Sequence, residues 1–484
     1  MMIPGGHMQN TSGATGRVCA VLLAGLSLLG AAACSAPEPR GTAFENVTVV
    51  DAVHGARADQ RVLVVDDRIV SVAPMSESPG AGHSEAPPAR VIDGEGRYLI
   101  PGLWDMHVHF LYDEALTEHM AELFLDYGIT SVRDTGGEMS RLAALRARLQ
   151  AGPAPAPRIF VSGPLLDGRF VVYDGGDPGR PPLGTGVATP EAAAARVAAL
   201  DEAGADFIKI YELVMPDVFQ ALADAARARD MPIAAHVPLM MTADEAGPRV
   251  DSMEHLRNVE LACAGNWAEL LAARQQRITA FEDGRGYDLR RSLHAGQRVP
   301  AIETYDEARC ATVLAALTDT IQVPTLRLNT LGSTRPFDRD DWDDALAGLP
   351  EAVAERWRAE VAGIRDGEAD RTFADWSLFL VGSMHEHGVP IGAGTDTPIG
   401  LAVPGYSLHT ELELLVRSGL TPREALHAAT VMPASFFALE DEMGTVSEGK
   451  LADLVLLEGK PLDDIASTRR IAGVMAAGRW LPRD

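Results

Sequence analysis

Two histidines stand two residues apart in Asp105-Met106-His107-Val108-His109. On a strand, residues i and i+2 face the same way, so His107 and His109 would project together. Imidazole is the commonest metal ligand, and its neutral nitrogen suits Zn²⁺. Further polar residues sit at the ends of apolar runs in the same fashion. His236 closes PIAAH, His255 closes DSMEH and Asp396 closes GAGTD. Any one of them reads most simply as a hydrogen-bonded core residue. Five at successive strand ends read as a metal site, because barrel enzymes gather their catalytic groups there.

Lys209 lies inside the apolar run FIKIY. A buried ammonium without a partner costs several kcal/mol, or it gives up its proton. A neutral lysine beside metal can take up CO₂ as a carbamate, an anion able to bridge two cations. The alternative is a lysine paired with Glu212 or reaching the strand end. His385-Glu386-His387 is a useful contrast. It follows a helical pattern, where residues two apart do not face each other, so both histidines are expected at the surface.

These residues need a scaffold, and the chain offers a rhythm. Eight short apolar runs contain or begin at Leu103, Gly128, Arg158, Ala205, Pro232, Asp251, Ile321 and Pro390. Helix-like stretches separate most of them, one opened by Met215-Pro216 and another by Thr421-Pro422-Arg423-Glu424, a capping-box pattern. The alternation predicts an α/β fold, a (β/α)₈ TIM-type barrel over residues 101–442. Strand-like segments at 43–100 and 443–484 bracket it and predict a flanking β-sandwich built from both chain termini. Residues 264–320 break the rhythm as a long insertion, expected to supply a lid or binding loop. The Pro/Gly/Ser-rich segment SESPGAGHSEAPPA reads as a loop.

The 484 residues are 46% hydrophobic and 23% charged, with a net charge of −26. That balance suits a globular protein with a large core and argues against nucleic acid or an anionic membrane surface as partner. Val18–Ala33 is an apolar run, short for a membrane span, that ends in small residues before Cys34. Residues 1–33 therefore read as a signal peptide and 34–42 as a tether. GAAACS resembles a bacterial lipoprotein signal with Cys34 as the lipidated residue, although Ala31 stands where such signals usually carry Leu. The expected location is the periplasm or, through that lipid anchor, a membrane surface. Cys263 and Cys310 could pair in an oxidising compartment or remain two buried thiols.

The segments PGLWDMHVH, GITSVRDTGG, GADFIKIYE, AAHVP, SMEHL, GAGTDT and ALEDEMGTVSEGKLADLVLLEGKPL together resemble the amidohydrolase superfamily. The resemblance is nearest to the imidazolonepropionase-related branch that includes metal-dependent Xaa-Pro dipeptidases, and runs from about Phe44 to the end. It implies that His107 and His109 hold one metal ion with Asp396 nearby. It implies that carboxylated Lys209 bridges to a second ion held by His236 and His255, with zinc the expected metal. Imidazolonepropionases proper lack the bridging lysine and use one metal, so Lys209 favours the two-metal members.

The expected activity is hydrolysis of a C–N bond in a small amide or peptide substrate, a dipeptide or an N-acyl amino acid. Asp396 would act as general base and then general acid. Tyr211, His409 and Arg327 are candidate substrate contacts, Arg327 for a carboxylate, with core packing or a surface salt bridge as the plainer roles. Two other readings are a cyclic amidase of the imidazolonepropionase type and a surface lipoprotein that binds metal or ligand without catalysis.

Overall fold

The computed structural model describes residues 40–77, 87–177, 179–364 and 370–483. The signal peptide, Cys34 and most of the tether and of the Pro/Gly/Ser-rich loop lie outside the described residues. Among the described residues, no helix is long and apolar enough to cross a membrane.

The chain opens with β1 (Thr42–Asp51), β2 (Gly55–Val65), β3 (Arg68–Pro74), β4 (Arg90–Asp93) and β5 (Tyr98–Pro101). Nine short parallel strands follow: β6 (Leu103–Val108), β7 (Ile129–Asp134), β8 (Arg158–Val161), β9 (Leu165–Asp167), β10 (Gly184–Gly186), β11 (Ile208–Ile210), β12 (Ile233–Ala235), β13 (Ser252–Glu254) and β14 (Ile321–Val323). It ends with β15 (Leu454–Leu457), β16 (Ile471–Ala476) and β17 (Arg479–Pro482).

Both ends of the chain meet in one eight-stranded sheet, in the order β17-β16-β15-β5-β1-β2-β3 with β4 beside β1. The joint is antiparallel pairing of β15 with β5, Leu454 opposite Pro101. The far edge folds back, since Ile69 N–H donates to Lys450 O at 2.8 Å and Ala452 N–H to Asp67 O at 2.8 Å. The sheet thereby encloses its own core of Phe44, Val62, Ile69, Leu454 and Met475.

The middle strands are short and, apart from β10 and half of β8, buried, as expected where helices cover a parallel sheet. β6, β7 and β8 pair in sequence. β9, β11, β12, β13 and β14 pair in sequence as well, with β10 beside β9. The gap between the groups is spanned by Asp206 N–H donating to Val161 O at 2.8 Å. At the other end Gln322 bridges Ile391 and Val108 bridges Thr397, both in parallel sense. The eighth apolar run, from Pro390, thus lies between β14 and β6 without forming a regular strand. Its glycines explain this: a Cβ on Gly392 would sit 2.4 Å from Met106 Sδ, and one on Gly394 2.6 Å from Val323 Cγ1. The backbone there approaches its neighbours more closely than any other residue permits.

Amphipathic helices cover the strands. Pro216–Arg227 opens with Pro in its first turn and buries Val218, Phe219, Leu222 and Ala226, the 3–4 spacing of a one-sided helix. Pro422–Ala428 carries the expected capping box between Thr421 and Glu424. The insertion over 264–320 is not a long loop. It forms helices Trp267–Thr279, Gly286–Glu303 and Glu307–Ala315, whose stripes of buried Leu289, Leu293 and Val313 join the main core. A disulfide ties Cys263 to Cys310 across it. His385 lies on helix Thr372–Glu386 and His387 follows at its end, exposed, as the helical reading expected.

Candidate metal centre

β6 delivers His107, and His109 follows one residue beyond its end; β12 and β13 deliver His236 and His255 at their C-terminal ends, and β11 carries Lys209. Asp396 comes from the glycine-rich segment that runs beside β6. Its amide donates to His107 O at 2.8 Å, while His109 N–H donates to Thr397 O at 2.8 Å. The pairing locks three of the side chains into register. His255 and Asp396 have φ of 64° and 62°, left-handed conformations that cost about 1–3 kcal/mol for residues other than glycine and cluster at functional sites.

All six side chains are buried, none more than 4% exposed. His107 Nε2 and His109 Nε2 each lie 3.2 Å from Asp396 Oδ1. His107, His255 and Asp396 offer ligand atoms all within 4.8 Å of one another. The ring centres of His107 and His255 are 4.5 Å apart, and those of His236 and His255 4.7 Å.

Three of the four imidazoles use Nδ1 for an outer partner. His107 Nδ1 meets Glu254 Oε2 at 2.6 Å, His236 Nδ1 meets Glu212 Oε1 at 2.7 Å, and His255 Nδ1 meets Thr325 Oγ1 at 2.7 Å. The carboxylates accept from Nδ1 of His107 and His236 and so fix the tautomer that leaves Nε2 without a proton, the arrangement around metal-binding histidines. Burial drives His236 down to about 3 and His255 well below its ordinary range. The neutral form, the one that coordinates, is therefore favoured.

Lys209 Nζ is buried without a hydrogen-bond partner among the described residues, and so is His109 Nδ1. The nearest carboxylate to the amine is Glu254, at 3.7 Å. Burial outweighs that attraction and brings the lysine down to about 8. Burial alone would push Asp396 up, but the surrounding His255, His107 and His109 hold it well below the carboxylate range. Four imidazole nitrogens, a carboxylate and an unpartnered amine make a donor set that fits a divalent transition metal.

Several residues of this region escaped the sequence reading. Glu254 accepts from Arg133 at 2.7 Å as well as from His107, and Arg133 lies over the Phe436 ring at 4.5 Å. Glu212 accepts from His236, Arg257, Arg290 and His294. Their one sequence signal is a glutamate inside a strand-end apolar run, IKIYE and SMEH.

The proposed substrate contacts fall in different places. Tyr211 is 3% exposed and its ring is 4.4 Å from that of His236. Arg327 is 4% exposed rather than at the surface, and its guanidinium donates to the carbonyls of Thr395, Ile399 and Gly400. It clasps the loop that carries Asp396. His409 is not brought to the cluster; its nitrogens meet Thr468 Oγ1 at 2.9 Å and Tyr127 O at 3.0 Å. Beside the Asp396 loop, Tyr112, Arg180, Trp357, Pro398 and Leu401 line a cleft of about 640 Å³.

Residues 379–481 match the amidohydrolase family model. The chain is similar to imidazolonepropionase of Symbiobacterium thermophilum, 25% identical over 401 residues that cover 81% of this chain and 82% of the relative. It is similar to ochratoxinase of Aspergillus niger, 42% identical over 80 residues that cover 16% of each. In structure it resembles a Xaa-Pro dipeptidase with methionine bound in the active site, with a TM-score of 0.63, 20% identity and coverage of 91% of this chain and all of that one; this likeness concerns the fold.

Proposed function

We propose that this chain is a metal-dependent hydrolase that cleaves the C–N bond of a dipeptide or an N-acyl amino acid. The observation that carries the proposal is the convergence of His107, His109, His236, His255, Lys209 and Asp396, with three of the histidines held at Nδ1 by outer partners. His107 and His109, with Asp396, would hold one divalent ion and His236 with His255 a second. Lys209, carboxylated, would bridge the two, with zinc the expected metal. The unpartnered amine supports the bridge, since a carbamate replaces a buried charge without partners by an anion that has them. The scaffold is read as a closed eight-stranded barrel, supported by the Gln322–Ile391 and Val108–Thr397 bridges that link β14 to β6 through the Asp396 segment.

When bound, such ions would supply Lewis acidity, polarising the carbonyl and acidifying water. The protein's own work is positional and acid–base. Asp396, ionised and 3.2 Å from His107 Nε2 and His109 Nε2, accepts a proton from the attacking water and returns it to the leaving nitrogen. Arg327 holds its loop and the Nδ1 partners hold the rings, so these groups need little rearrangement during the reaction. The test is a panel of Xaa-Pro dipeptides, N-acyl amino acids and cyclic amides assayed with and without chelator. Metal-dependent turnover of an acyclic amide is expected. Turnover confined to cyclic amides, or metal binding without turnover, would overturn the proposal.

A further inference from the structure

Beside the metal-ligand cluster, one carboxylate serves two guanidiniums. Glu212 Oε1 lies 2.9 Å from Arg290 Nη2 and 3.3 Å from Arg257 Nη1, and the same oxygen meets His236 Nδ1. Oε2 is taken by His294 Nε2 at 2.6 Å. Glu212 is wholly buried, Arg290 is 9% exposed, and the Arg257 side chain is 16% exposed. The neighbouring carboxylates do not make up the difference. Asp167 directs its oxygens at the amides of Gly168, Val172 and Leu213, and Glu260 pairs with Arg298 at 3.3 Å. Glu212 and Glu260 are thus two carboxylates among four guanidiniums, those of Arg257, Arg290, Arg298 and the buried Arg274, and positive charge is left over. The Nε atoms of Arg257 and Arg290 are also buried without a hydrogen-bond partner among the described residues. The guanidiniums that line the cleft differ, for Arg356 pairs with Asp113, and Arg180 pairs with Asp177, whose second contact, Arg285, has Asp288 as well.

The surplus charge lies close to the metal-ligand cluster. The Arg290 guanidinium lies 5.7 Å from the centre of the Tyr211 ring, which in turn packs 4.4 Å from the His236 ring. In a peptide, the carboxylate of the residue after the scissile bond lies one residue's span from the scissile carbonyl, roughly 3.5 Å. A buried cation about one aromatic ring away from a metal-ligand histidine is placed for that group. We infer that Arg290, with Arg257, binds the free α-carboxylate on the leaving-group side of the substrate. This rests on the proposed C–N hydrolysis and narrows it. The substrate class becomes compounds whose leaving amine is an amino acid with its carboxylate free, and neutral cyclic amides and internal peptide bonds are disfavoured.

The experiment compares matched pairs that share a scissile bond: an Xaa-Pro dipeptide with its C-terminal amide, and N-acetyl-L-leucine with N-acetyl-L-leucinamide. The zinc-loaded protein is assayed for turnover and, by calorimetry, for binding. Expected is a preference for the acid of about 10- to 100-fold in kcat/KM or Kd, the scale of a charge-assisted hydrogen bond. In Arg290→Met, and separately Arg257→Met in case either variant folds poorly, the preference shrinks towards one, and Arg290→Lys keeps part of it. A merely structural role for Arg290, acting through Glu212 on His236, would instead lower zinc content and weaken acid and amide alike. An equal response to acid and amide in the wild type, including none to either, overturns the inference, as does a preference that survives both methionine variants. Equal, chelator-sensitive turnover of both members of a pair would leave the hydrolase reading standing while removing the carboxylate site.

Discussion

Lys209→Met exchanges a buried amine for an unbranched apolar side chain of similar length. In the metal-free protein, burial brings the lysine from its ordinary 10.5 down to about 8, with the attraction of Glu254 already included. That gap is equivalent to about 3 kcal/mol of destabilisation by the charged amine. Below pH 8 both the folded and the unfolded chain carry the proton, and the penalty is present in full. Between pH 8 and 10.5 the unfolded chain keeps a proton that the folded chain has released, so the penalty fades and stability climbs. The methionine variant should therefore be more stable than the wild type at pH 7, by about 3 kcal/mol in metal-free urea unfolding. The advantage should shrink as pH rises past 8. The same variant should bind less zinc per chain and lose activity by about 100-fold or more, because the side chain proposed to bridge the two ions is gone. Urea titrations at several pH values, zinc analysis and the amide assay read all three. A variant that unfolds more easily while keeping its zinc and its activity would refute the reasoning, because Lys209 would then be a structural residue.

Other substitutions separate the roles further. Asp396→Asn should lower kcat by about 1,000-fold with most of the zinc retained, read by steady-state kinetics beside metal analysis. Glu212→Gln should weaken zinc binding by about 10- to 100-fold, because it loosens the grip on His236 Nδ1, read by competition with a chromophoric chelator. Arg327→Met removes the donors to Thr395, Ile399 and Gly400. It should cut kcat by about 100-fold through misplacement of Asp396, with KM less affected. Chelation should abolish turnover, and added Zn²⁺, Mn²⁺ or Co²⁺ should restore it.

The histidines were legible because strand periodicity is two, and because each polar residue stood at the end of an apolar run with nothing else to explain it. Lys209 was legible because it is a charged residue inside an apolar run. The outer partners were not. Glu254 reads as an ordinary charged residue at a strand end and Glu212 only as a partner for Lys209, and only the packing of β6, β7, β12 and β13 brings Arg133 and the histidines to them. Arg327 looked like a surface residue, because sequence carries no sign that a loop of bare carbonyls waits opposite. His409 lies four helical residues into Tyr406–Arg417, on the face that turns towards Thr468 and Tyr127 rather than towards the metal-ligand cluster. The segment over 264–320 was taken for loop, because Gly284, Gly286 and Pro300 interrupt the helical pattern. Its burial of Leu289 and Leu293 against the core became plain only in three dimensions. The disulfide between Cys263 and Cys310 depended on the same packing.

The most direct measurement is an anomalous difference map at the zinc edge from crystals of the zinc-reconstituted protein. The account predicts one peak at His107, His109 and Asp396 and a second at His236 and His255, with carboxylated Lys209 between them. Zinc found elsewhere, or a cluster that stays free of zinc while the enzyme hydrolyses amides at full rate, would contradict it.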